Sequence, residues 1–184
     1  MANILILYGS TEGQTAKIAK RIAQRLKTAG HSAETKDGKD LPRDFSLAPF
    51  DAFIIGASVH YGGHQNYIRE LVKNNLDALG SKPAAFFSVS GAAGSPHEKD
   101  RTQVEKLLRK FIEKTHWQPA KTEVFGGAIL YTKYGFLKRL MMKMILRSAG
   151  GPTDTSHDYE FTDWDAVDRF ADAFAAEFLA PPPA

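Results

Sequence analysis

The chain has 184 residues, a formal net charge of +3 and 43% hydrophobic residues, the size and balance of one globular domain. It contains no cysteine, which excludes disulfides, thiolate metal centres, iron–sulfur clusters and cysteine nucleophiles. No run approaches the ~20 apolar residues of a membrane-spanning helix, and the opening MANILILYGS lacks a basic region, so no secretory leader is expected.

NILILY (Asn3–Tyr8) reads as a buried strand. From Thr15 to Ala29, Ile18, Ile22 and Leu26 share one face while Lys17, Lys20, Arg21 and Arg25 lie away from it. That spacing predicts an amphipathic helix, ended by Gly30. SAETKD predicts a polar strand near a sheet edge, and AFIIGAS (Ala52–Ser58) a second buried one. Helical spacing returns at Ile68, Leu71, Val72, Leu76 and Leu79 and stops at Gly80. PAAFFSVS (Pro83–Ser90) predicts a strand, Val104, Leu107, Leu108, Phe111 and Ile112 a helix, and TEVFGGAIL (Thr122–Leu130) a fifth strand. A last helix carries Trp164, Val167, Phe170, Phe174 and Phe178, with Thr162 as its expected N-cap. One domain over 1–180 is expected, with a frayed tail at 181–184.

Strands alternating with helices predict an α/β fold: a doubly wound, five-stranded parallel sheet with helices on both faces. Such sheets bind ligands beyond the carboxyl ends of their strands, where strand order reverses. Tyr131 to Phe161 is too long for an ordinary connection. It has a helical pattern of its own and reads as an insertion before the last helix.

YGSTEGQT (Tyr8–Thr15) joins the first strand to the first helix. A triphosphate loop needs G-x-x-x-x-G-K-[ST], but Gly9 and Gly13 are too close and Gln14 stands where lysine belongs. The dinucleotide pattern G-x-G-x-x-G is also absent. What remains is three hydroxyls, Ser10, Thr11 and Thr15, at a helix start. That suits one terminal phosphate held without metal; the alternative is a capped turn with no ligand. GASVHYGGHQ follows the third strand, and its glycines let backbone approach a ligand. Tyr61 could stack on a flat ring or pack in the core. His60 and His64 would have metal-ligand spacing on a helix, but the glycines make this a loop and no cysteine or third ligand is nearby, so no metal is expected. The small residues of SVSGAAGSPHE leave room for a flat substrate; His97 there is a proton partner or simply a surface histidine.

STEGQT after a buried strand resembles the flavin mononucleotide phosphate loop of flavodoxins. Across the whole chain, IIGASVHYG, WQP, GGAILY, SAGGPTDTS and YEFTDW resemble the flavodoxin-type protoporphyrinogen oxidases, which are menaquinone-dependent protoporphyrinogen IX dehydrogenases of haem biosynthesis. Gly9 departs from the serine expected in that family, and Ser10 supplies a hydroxyl beside it. The resemblance implies a flavodoxin-like fold and an FMN cofactor. It implies FMN contacts from Ser10, Thr11, Glu12, Gly13, Gln14 and Thr15, from Ala57, Ser58, Val59, His60, Tyr61 and Gly62, and from Ser88, Val89, Ser90 and Gly91. It implies a porphyrinogen substrate and a quinone acceptor. No catalytic acid or base is legible. An electron-carrier flavodoxin or an NAD(P)H–quinone reductase on the same fold are the alternatives.

In the insertion, Phe136, Leu137, Leu140, Met141, Met144 and Ile145 cover about half of a helix. Arg139, Lys143 and Arg147 line its flank, and Met142 and Leu146 interrupt the polar side. A broad apolar face beside a basic stripe is the pattern of an interfacial helix on anionic lipid. Phe136, Leu140, Met144, Arg139, Lys143 and Arg147 are therefore the expected membrane or substrate contacts, at the cytoplasmic face of the cell membrane. Packing on its own domain, or lining a quinone or porphyrin groove, are the other readings. Nucleic-acid binding is not expected, because no stacking platform accompanies the basic residues.

Overall fold

The computed structural model describes residues 1–60, 62–95, 97–148 and 150–179. Tyr61 and the tail at 181–184 lie outside the described residues. In chain order the elements are β1 (Asn3–Gly9), α1 (Gln14–Thr28), β2 (Ser32–Asp37), β3 (Ala52–His60), β4 (Gly63–His64), α2 (Asn66–Lys73), α3 (Leu76–Ser81), β5 (Ala84–Ser90), α4 (Glu98–Thr115), β6 (Lys121–Gly126), β7 (Ala128–Ile129), α5 (Phe136–Ser148), β8 (Tyr159–Glu160) and α6 (Trp164–Phe178).

Five parallel strands pair in the order β2-β1-β3-β5-β6. The chain moves from β1 outward to β2, then crosses to β3 on the other side. The order therefore reverses between β1 and β3, where a doubly wound sheet opens a crevice. The polar SAETKD strand is indeed at an edge. On one face α1 and α6 cover Ile4, Ile6, Ile54, Phe87 and Phe125; on the other α2, α3 and α4 cover Leu5, Leu7, Phe53, Ile55 and Phe86. Phe86 stacks on Phe111 with ring centroids 4.2 Å apart. Gly56 makes room for Phe87: a Cβ there would lie 2.1 Å from the Phe87 ring.

Four boundaries differ from expectation, each for a local reason. The histidine loop is a hairpin, because β3 runs on to His60 and turns back through β4. The second predicted helix breaks into α2 and α3 at Asn74–Asn75, where the Asn75 side chain bonds the Leu71 carbonyl at 2.8 Å. The fifth strand stops at Gly126, since Phe161 crosses there; a Cβ on Gly126 would sit 2.1 Å from the Phe161 carbonyl oxygen. Asp163, not Thr162, caps α6, accepting from the Ala166 amide at 3.0 Å. Thr162 instead donates to the Gly126 carbonyl at 2.7 Å and accepts from the Gln14 side chain at 2.8 Å.

The insertion builds a small core of its own. Ile129, Tyr131 and Tyr134 are buried and pack with Met142, Leu146, Tyr159 and Phe161. The β7–β8 pair closes its base. Gly150, at φ +70°, and Gly151 end α5, with the Gly151 amide on the Leu146 carbonyl at 2.7 Å.

Candidate active site

A cleft of about 410 Å³ opens at the carboxyl ends of β1, β3 and β5, walled on its outer side by α5. This volume lies within the range of small-molecule and cofactor sites. Its base is the turn from β1 into α1. Gly9 is required there, because a Cβ would meet Ile68 Cγ1 at 2.6 Å. Steric fit thus explains the departure from serine. Gly13 sits at φ +94°, a conformation that favours glycine, and serves as N-cap without a side-chain cap. Ser10 Oγ accepts the Gly13 amide at 2.9 Å. The first helical bond runs from Lys17 to the Gly13 carbonyl, so the amides of Gln14, Thr15 and Ala16 precede it. Thr15 is 1% exposed and its Oγ1 has no hydrogen-bond partner. A buried hydroxyl without a partner is costly in a folded protein. Together these donors form an anion cradle at a helix start.

Glu12 Oε2 accepts from Tyr134 at 2.6 Å and Oε1 from Lys138 at 2.7 Å. Lys138 also lies 4.1 Å from the centre of the Tyr134 ring. Burial, and then the bond to Glu12, pushes the Tyr134 hydroxyl above its ordinary range, so it remains a neutral donor. The carboxylate in the cradle is therefore neutralised by the insertion and ties the insertion to the loop. Sequence spacing carries no signal of this link, nor of the Gln14–Thr162 bond across 148 positions.

Ser58, Val59, His60, Val89, Ser90 and Gly91 line the cleft, as do Ser10, Thr11, Glu12, Gln14 and Thr15. Ala57 and Ser88 lie behind it, in the layer under α2–α4: Ala57 packs with Leu5 and Phe53, and the Ser88 hydroxyl pairs with His64 Nε2 at 2.8 Å. Gly62 borders a second cleft that also touches His60. Gln65, absent from the expected set, reaches Ser58 and Thr11 and fixes the two loops together. His97 and Asp100 line the cleft near Gly150. Among the described residues no three His, Cys, Asp or Glu side chains gather as a metal site.

The two sides of α5 do different things. Lys138, Met141, Met142, Ile145 and Leu146 face the cleft. Phe136, Leu137, Leu140 and Met144 do not line it and are strongly exposed, Phe136 and Leu137 at 79%. Lys143 and Arg147 are exposed among them. The expected flank of three cations is split, because Arg139 is half-buried and donates to the Tyr131 and Tyr134 carbonyls at 3.0 and 3.1 Å. Met142 and Leu146, expected on a polar side, are the residues that dock the helix.

His64 is buried against Phe86 and Phe111. Burial, then the Arg69 charge, lowers its pKa from 6.5 to about 4. In the unfolded chain it protonates first. Its contribution is complete above about pH 6.5 and is lost as the pH falls towards 4, by roughly 3 kcal/mol. Urea unfolding at pH 7.5 and 4.5 should show a larger drop for the wild type than for His64→Asn; equal drops would refute the assignment.

Residues 5–156 match the family model described as "Flavodoxin domain". The chain belongs to the flavodoxin family. It is 36% identical over 167 residues to the Escherichia coli (strain K12) protein named protoporphyrinogen IX dehydrogenase [quinone], covering 91% of each chain. A Leishmania major protein of the same name is 35% identical over 183 residues, 97% of this chain and 77% of the relative. Among solved structures, a flavodoxin from Streptococcus pneumonia TIGR4 superposes with a TM-score of 0.58 at 14% identity, over 96% of this chain and 99% of that one; it shares the fold. A flavodoxin-family site implies FMN, and the residues fit it. The uncapped helix start and the orphaned Thr15 hydroxyl suit the terminal phosphate, and the loops at 58–60 and 89–91 suit the ring.

Proposed function

We propose that this flavodoxin-family chain is an FMN-dependent dehydrogenase that oxidises protoporphyrinogen IX to protoporphyrin IX, with a menaquinone-type quinone as acceptor, in haem biosynthesis. The observation that carries the reading is the two-sided α5. One side closes the flavin cleft with Met141, Met142, Ile145 and Leu146, and the other presents apolar side chains beside Lys143 and Arg147. An electron carrier has no need of an apolar wall over its flavin, and the names of the relatives support an enzyme.

When bound, FMN supplies reversible two-electron chemistry, which lets porphyrinogen and quinone react in turn at one site. Thr15, Ser10 and the amides at the α1 start hold its phosphate, and Glu12 is kept from repelling that phosphate by Lys138. The adaptable methionines of α5 exclude water and accept the apolar parts of substrates of differing outline. Each oxidation removes two hydrogens from the porphyrinogen, and the quinone leaves as quinol.

The outer side of α5 is the contact with an anionic membrane surface at the inner face of the cell membrane. Apolar groups enter the headgroup boundary there, and Lys143 and Arg147 meet lipid phosphates. Among the described residues no helix is long and apolar enough to cross a membrane. A peripheral contact serves substrates that both partition into lipid.

The test is reconstitution with FMN, followed by protoporphyrinogen with a menaquinone analogue and, separately, NADPH with the same quinone. Porphyrin fluorescence that requires both flavin and quinone is the expected result. NADPH turnover without porphyrin formation would refute the reading in favour of a quinone reductase.

A further inference from the structure

The geometry points to a second subsite, resting on the function just proposed: a cationic cleft adjoining the flavin cleft holds the carboxylate side chains of the porphyrinogen. This cleft, about 230 Å³, lies between the β3–β4 hairpin, α2 and α4. Arg69, Lys110 and Lys114 line it with His60 and Asn66, over the buried His64 and Phe111, and among the described residues no carboxylate lines it.

Three observations favour an anion. First, Lys110 and Lys114 enter no ion pair among the described residues. On the same two helices, Lys73 is paired with Glu70 and Arg109 with Glu105. Both helices offer ion pairs, and the two lysines that face the cleft take none; among the described residues Lys99 and Lys106, elsewhere on α4, take none either. Second, Lys110 and Lys114 are four apart on α4, a like-charged spacing that costs helix stability without a counter-charge. Arg69 bonds Asn66 in its own helix, which leaves further guanidinium donors for a planar carboxylate. Third, His60 belongs to the walls of both clefts, so one ligand can occupy both.

The substrate has matching asymmetry. Protoporphyrinogen is a puckered macrocycle, its four bridging carbons being tetrahedral, with its carboxylates on one edge and apolar substituents on the other. Seated over the flavin, it directs its apolar edge to the methionine wall of α5 and its carboxylates past His60 towards Arg69, Lys110 and Lys114. The cationic cleft then sets which way the macrocycle enters.

The test compares wild type with Lys110→Gln/Lys114→Gln and with Arg69→Gln, using protoporphyrinogen and its uncharged dimethyl ester. Circular dichroism and FMN binding report folding. For the diacid, KM should rise about 10-fold or more in the double variant, as expected for lost charge-assisted hydrogen bonds. The effect should fall on KM rather than kcat, and the ester's KM should not depend on the substitutions. Fluorescence titration with protoporphyrin, the product, should weaken by a similar factor. A diacid KM within two-fold of wild type, or an equal change for the ester, overturns the subsite. Wild type that binds protoporphyrin through these charges but does not oxidise the porphyrinogen would overturn the proposed reaction and leave the subsite standing. Binding indifferent to the charges would overturn the subsite whatever the activity.

Discussion

Thr15→Val should lower affinity for FMN by about 10- to 150-fold while leaving the apoprotein at least as stable. Valine keeps the shape of threonine and removes only the hydroxyl. That hydroxyl is buried and has no partner. Its bond to a phosphate oxygen is charge-assisted, worth roughly 1.5–3 kcal/mol, which corresponds to about 10- to 150-fold in affinity. Removing an unsatisfied buried group does not harm the unliganded fold, so the two readouts move differently. Flavin fluorescence titration and urea unfolding of the apoprotein check them. Thr15→Ser, which restores a hydroxyl, should recover most of the affinity. Unchanged FMN affinity in the valine variant would mean that the phosphate lies elsewhere.

A second large effect is expected on the outer side of α5. Leu140→Glu/Met144→Glu should reduce partitioning onto anionic vesicles on the order of 100-fold. Leu140 is 47% and Met144 60% exposed, so neither substitution disturbs a core. Burying such a side chain in an apolar phase is worth about 1.5–3 kcal/mol, and two are replaced by groups that the anionic surface repels. Vesicle sedimentation gives the partition coefficient, and raised salt should weaken wild-type binding through Lys143 and Arg147. Turnover with a water-soluble quinone should be retained, because neither residue lines the cleft. Partitioning within three-fold of wild type would rule out this side of α5 as the lipid contact.

The anion cradle was legible because it is local. One strand, one turn and one helix start carry it, and all lie within Tyr8–Thr15. The lining that β3 and β5 supply was legible only in part. In β5, and in β3 as far as Val59, every position is apolar or small, so no alternation marks which side chains turn to the cleft. Pairing then sends Ser88 to His64 and Ala57 into the α2–α4 layer. Thr162 and Asp163 are both good caps, and the choice went to Asp163 because Gly126 and Gln14 engage Thr162. In α5 apolar residues lie on both sides of the Arg139–Lys143–Arg147 stripe, so periodicity could not tell the docked side from the exposed one. Ile129, Tyr131 and Tyr134 made that choice by offering a surface to Met142 and Leu146.

By itself the sequence determined the alternation of strands and helices, the sheet they form, and the kind of anion the first loop can hold. These depend on periodicity and on near neighbours. Only the tertiary structure decided that Glu12 binds the insertion, that Arg139 serves backbone carbonyls, and that Arg69, Lys110 and Lys114 meet in one cleft. Those outcomes rest on contacts between residues far apart in the chain, where geometry and competition among partners settle what each charge is bonded to.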